Sequence, residues 1–309
     1  MARKRFQNRV AESRLALPFT TIYSVVMWIV AGLFTKQLWI QFALMTISTY
    51  LIVEMNNKNA LIRVYSRMVS CALLSLTIMA NFMLPSVECS VVQLCFISFY
   101  FTLFLCYQNK RASGWIFFSF ICLGIASFEF VQILYFVPIL WIIMSADIRA
   151  LSARTFIASL LGIIVPYWFY GAYLFFNDNI ASLITHFTAL AQFQPLLMYQ
   201  NISLHQIVTF AYVAILSLTG IIHFFRTSYN DKIRTRMLYE TFITVDILCL
   251  VFMVLQPQHF NFLMCILIVN TSPLIAHFIA LTHTWFTNIA FYIILISTLS
   301  ITFYNLWIP

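Results

Sequence analysis

Glu129 lies in the stretch GIASFEFVQ, near the middle of 33 residues from Gly114 to Ala146 that hold no other charged side chain. A carboxylate in such surroundings can act as a general base or hold a metal that neutralises a phosphate, and partial burial would raise its pKa toward the range that suits a base. Asp246, in ETFITVDILCLV, is embedded in a second apolar stretch. An acid inside a membrane span is a site for a proton or a cation, or one half of a buried hydrogen-bonded pair, here with Asn270 or His277. The plainer alternative is a protonated acid bonded to a helix backbone or a small polar neighbour. Glu88, Asp178 and Lys36 are further polar groups expected on the same face as Glu129, where each also reads as a hydrophilic loop tip.

Other chemistries leave no trace. The six histidines show no HxxxH or HxxHH spacing, the seven cysteines include no CxxC pair, and no P-loop, Rossmann glycine pattern or nucleophile elbow occurs. The expectation is therefore no metal and no cofactor, with cysteines that serve packing.

What positions these residues follows from composition. The chain is 62% hydrophobic and 8% charged, against roughly 45–50% and about 25% in an ordinary soluble domain. Such a chain cannot cover a globule with polar surface, so a membrane protein is expected, with membrane lipids around it. The net charge of +8 falls in short clusters between apolar runs and makes no basic face for nucleic acid.

Apolar runs near 17 to 34, 38 to 53, 69 to 84, 91 to 107, 114 to 128, 130 to 145, 156 to 176, 206 to 225, 238 to 255, 260 to 281 and 285 to 304 predict an all-α polytopic bundle of about eleven transmembrane helices. Residues 1–16 form a basic cytoplasmic segment, and 17–309 a single bundle. No small-residue cleavage site follows MARKRFQNRVAESR, so the first span is expected to be retained. With the N-terminus cytoplasmic and the C-terminus extracytoplasmic, 16 of the 17 basic residues fall inside and only Lys36 outside. Lys110 and Arg111 before the long run, and Arg149 and Arg154 after it, share a side only if that run crosses twice. One helix of that length would also span about 50 Å against a hydrocarbon core of roughly 30 Å. Gly114 to Ala146 is thus expected to be a helical hairpin with Glu129 at its outer tip.

The longest outer segment, near 178–205, places Ile180, Leu183, Ile184, Phe187, Leu190 and Phe193 at helical spacing. It suits an amphipathic helix on the outer leaflet or a re-entrant cap over a cavity. A substrate site there would have Glu129 facing a cleft roofed by residues 180–193.

The hairpin, the cytoplasmic arginine and then ARTFIASLLGIIVPYWFYGAYLFF (153–176) resemble a family of polytopic inner-membrane proteins found in Bacteroidota; NNKNALIRVYSR (56–67), DKIRTRMLYETF (231–242) and VNTSPLIAHFIAL (269–281) support the likeness. More distantly, the G-x-A hairpin and the G-x-x-x-P helix look like membrane glycosyltransferases that use polyprenyl-phosphate sugars. The first outer loop here is Thr35, Lys36 and Gln37, without the acid those enzymes usually carry, and the outer face has no arginine to grip a diphosphate. The resemblance implies a bacterial inner-membrane location and a role in envelope lipid or glycan handling, with Glu129 as the candidate base and a lipid-linked substrate. Two other classes compete: a transporter centred on Asp246, and a non-catalytic membrane subunit of an envelope complex.

Overall fold

The computed structural model describes residues 5–193 and 202–307. Thirteen α-helices and no strand occur among the described residues: α1 (Phe6–Ala11), α2 (Ala16–Val30), α3 (Trp39–Asn59), α4 (Met68–Met79), α5 (Val87–Phe104), α6 (Ser113–Glu129), α7 (Val137–Ala146), α8 (Ala153–Phe176), α9 (Ile180–Thr188), α10 (Leu204–Thr227), α11 (Ile233–Leu255), α12 (Phe260–Leu281) and α13 (Trp285–Trp307). Each of the eleven apolar runs overlaps one of these helices. Six of them, α5, α8 and α10 to α13, are long and apolar enough to cross a membrane, which makes this a multi-pass membrane protein.

Local sequence sets the helix ends. Ser86 accepts from the Cys89 amide and starts α5, and Ser152 with Thr155 forms a reciprocal capping box on α8. The run after Glu129 does not enter a helix at once: Val131–Phe136 is a 3-10 turn, and α7 begins where Pro138 fits the first helical turn. Of the outer segment near 178–205, residues 180–188 are helical as the spacing predicts, while 194–201, including the Asn201 sequon, lie outside the described residues.

The core is organised around α12. Residues Leu263 to Leu281 of this helix are all buried, and it packs against α1, α4, α5, α10 and α11. Glycines permit the closest crossings. A Cβ on Gly162 would stand 2.6 Å from the Phe117 carbonyl oxygen, so α6 and α8 meet backbone to backbone.

Hydrogen bonds gather the basic segments at one end of this bundle. The Gln7 amide donates to the Ile279 carbonyl at 2.7 Å and Asn8 to the Thr282 carbonyl at 2.9 Å, docking α1 on the end of α12. Arg234 donates to Asn59 Oδ1 at 2.7 Å and to the Phe104 carbonyl at 3.2 Å, joining the ends of α3 and α5 to the start of α11. The Gln108 amide reaches the Ile148 carbonyl, and Ser152 Oγ the Lys110 carbonyl, which closes the base of the α6–α7 hairpin. The clustering of basic loops deduced from charge alone is thus a physical juxtaposition; Arg3 and Lys4 lie outside the described residues.

Candidate functional site

The buried helix α12 contributes polar side chains to two groups. Asp246 of α11 is fully buried where α10, α11 and α12 meet. Both of its oxygens accept from hydroxyls, Oδ2 from Ser217 of α10 and Oδ1 from Thr271 of α12, the latter at 3.1 Å. Asn270 and His277, the partners expected from the sequence, are engaged elsewhere. The Tyr100 hydroxyl donates to Asn270 Oδ1 at 2.6 Å, and the Asn270 amide donates to the Ile266 carbonyl at 2.8 Å. The expected pair fails because residues 270 and 271 leave a helix about 100° apart, and only Thr271 faces α11.

Six residues further along α12, about 9 Å toward the basic end, His277 is fully buried in a second group. Its Nε2 stands 2.9 Å from Asp231 Oδ2, and its Nδ1 stands 3.3 Å from Nδ1 of His223 on α10. Arg63 lies 3.8 Å from the other oxygen of Asp231 and is partly exposed, so this end of the chain of groups reaches the surface. Nε2 of His223 is buried without a partner. Between the two groups, the Tyr239 hydroxyl donates to the Pro273 carbonyl at 3.3 Å, and its ring packs on His277 at 4.9 Å.

These distances are compatible with one particular assignment of hydrogens. With both imidazoles neutral and Asp231 a carboxylate, His277 Nε2–H donates to Asp231, and His223 Nδ1–H donates to the bare Nδ1 of His277. The one atom left over is then His223 Nε2, an acceptor with nothing to accept.

The outer candidates are arranged differently. Glu129 ends α6, is exposed, and accepts no hydrogen bond among the described residues. Its carboxyl is raised, by partial burial first and by the charge of Glu88 second. Glu88 is exposed and accepts from Ser86 Oγ at 2.6 Å. Since Ser86 caps α5 and Glu88 lies in that helix's first turn, Glu88 completes a helix start. Asp178 and Lys36 are exposed, Asp178 in a left-handed turn residue at φ 52°. The 180–191 segment does approach the hairpin: Gln132 donates to the Ala189 carbonyl at 3.4 Å, and the Tyr167 hydroxyl lies 3.1 Å from His186 Nε2. These contacts involve the 3-10 turn and α8, not Glu129. A cavity of about 560 Å³ lies elsewhere, between α1, α2, α4, α12 and α13, and Glu129 does not line it.

Asp231, His223, Ser217 and Thr271 were not singled out by sequence reasoning. Asp231 and the two histidines could have been found, because the threading puts the end of α10, the start of α11 and the end of α12 on one side. Ser217 and Thr271 carry no comparable signal, since small hydroxyls in apolar helices commonly bond their own backbone. Among the described residues no group of three or more His, Cys, Asp or Glu side chains is placed to hold a metal. Comparison with protein-family models, with curated proteins and with solved structures finds no match.

Proposed function

We propose that this chain is a proton-coupled transporter of a bacterial inner membrane, with its basic end in the cytoplasm and about eleven spans. The observation that carries this reading is the pair of polar groups on one buried helix: a carboxylate enclosed by three helices and, about 9 Å further along, an imidazole–carboxylate chain that reaches toward the surface. Ionisable groups at such depth are costly, and a purely structural bundle could fill the same space with apolar side chains.

The hydrogen assignment gives the second group a direction. A proton taken up at His223 Nε2 releases Nδ1–H to His277 Nδ1, and His277 releases Nε2–H to Asp231, one proton entering and one delivered. The positive charge of Arg63, 3.8 Å away, favours the charged form of Asp231, so the proton leaves Asp231 itself for water at the surface where Arg63 is exposed. Asp246, held by two hydroxyl donors, is the group assigned to bind and release the proton within the bundle.

The test uses the whole protein in liposomes loaded with a pH-sensitive dye, under a potassium diffusion potential. Wild-type vesicles take up protons faster than Asp246→Asn vesicles of equal protein content, and His277→Gln falls with them. Equal rates in all three sink the transporter reading.

Envelope lipid or glycan transfer is the second reading, supported by the 180–191 segment laid against the hairpin. Its weak point is Glu129, exposed and without a hydrogen-bonded neighbour to orient it as a base. A non-catalytic subunit of an envelope complex would tolerate loss of both Glu129 and Asp246 and lose a partner instead.

A further inference from the structure

The cavity of about 560 Å³ is a groove rather than a closed void, and its position relative to α1 gives it a chemistry. Phe19, Leu76, Ile275, Ile279 and Leu295 supply apolar walls from α2, α4, α12 and α13, while Arg9 and Ser13 stand at one rim. α1 is held in place by its other face, where Gln7 and Asn8 are buried and bonded to residues 279 to 283. That anchoring leaves Arg9 exposed, and its guanidinium makes no hydrogen bond or ion pair among the described residues.

The groove runs from Leu15 to Tyr23 along α2, about 12 Å at 1.5 Å per residue, and the wall from Phe291 to Leu299 on α13 has the same reach. Half of a hydrocarbon core is about 15 Å deep. An apolar slot of about one leaflet's depth, with an exposed forked cation at the headgroup level, matches a lipid tail below a phosphate. We infer that this groove holds one acyl chain of an anionic glycerophospholipid from the leaflet at the basic end, with the phosphate on Arg9 and Ser13.

Native mass spectrometry of the full chain in mild detergent tests this, with dioleoylphosphatidylglycerol and dioleoylphosphatidylcholine as probes. Wild-type protein retains one phosphatidylglycerol about fivefold more tightly than phosphatidylcholine, the effect of one basic contact near a membrane surface. Arg9→Gln removes that preference, Arg9→Lys keeps part of it, and Ser75→Phe, which fills the groove from α4, displaces both lipids. Arg9 is exposed, so its variants leave thermal unfolding unchanged. Equal retention of the two lipids by wild type, unchanged retention in Ser75→Phe, or displacement of phosphatidylglycerol by an equimolar polyprenyl phosphate would overturn the inference.

Discussion

Gly220 of α10 lies flush against Leu274 of α12: a Cβ on that glycine would stand 2.7 Å from the Leu274 carbonyl carbon and 2.8 Å from its Cβ. On α10 this glycine is flanked by Ser217 and His223, and on α12 Leu274 is flanked by Thr271 and His277. The close crossing therefore brings both polar groups within hydrogen-bond reach at once. Gly220→Ala should force the helices apart and cost about 1–3 kcal/mol, the usual range for overpacking. Thermal unfolding in detergent checks it, and a variant as stable as wild type would contradict the packing described.

Arg234 ties three helices at the basic end, since one guanidinium nitrogen serves both Asn59 Oδ1 and the Phe104 carbonyl. Its Nε is buried without a partner, so Arg234 is under-satisfied even in the native chain. Arg234→Ala should still cost about 1.5–3 kcal/mol, because Asn59 and the Phe104 carbonyl lose a charged donor. Asn59→Ala should cost less, and the double variant should fall short of the sum of the two.

The Asp147 carboxyl, just past α7, is pushed up to about 6 by burial first and by the charge of Glu240 second. The folded chain thus holds this proton more tightly than the unfolded chain, where a carboxyl titrates near about 3.9. The stability linked to it is fully present below the unfolded value and is lost as pH rises through the folded one. The half-exposed position keeps the effect small. Between roughly pH 4 and 6, the melting temperature of wild type should fall more steeply than that of Asp147→Asn; parallel curves would count against the assignment.

Orientation can be read directly. Reporter fusions after Arg111, Glu129 and Arg154 should score cytoplasmic, external and cytoplasmic: the hydrogen bonds from Gln108 to Ile148 and from Ser152 to Lys110 hold the two ends of the hairpin on one side, and the distribution of basic residues predicts that side to be the cytoplasm. An external signal at Arg154 would break the threading. Glu129→Gln should leave accumulation and proton uptake unchanged, because nothing in the described structure depends on its charge.

The helices were legible because hydropathy is a property of each run by itself. Even the gathering of basic loops could be deduced, since electrostatics at a membrane constrains every loop in turn. Glu129 drew attention for the same reason and to less effect: its apolar surroundings along the chain are real, but the residue ends a helix and points to the exterior. Asp231, His277 and His223 are separated by 46 and 54 positions and come together only through helix packing. Asp246 was visible as an anomaly, yet its partners were not, because which of Asn270 and Thr271 faces α11 depends on the rotation of α12 about its own axis.

That α12 is buried on every side has a consequence for how the chain is made. Synthesis runs from the N-terminus, so α4, α5, α10 and α11 are made before the helix against which they pack exists. Until residues 260–281 emerge, Asp246 lacks Thr271, Tyr100 lacks Asn270 and Asp231 lacks His277. These polar groups are expected to gain their partners only once α12 is in place. A ribosome stalled just before α12 should hold a protease-sensitive chain, and one stalled after it a resistant one.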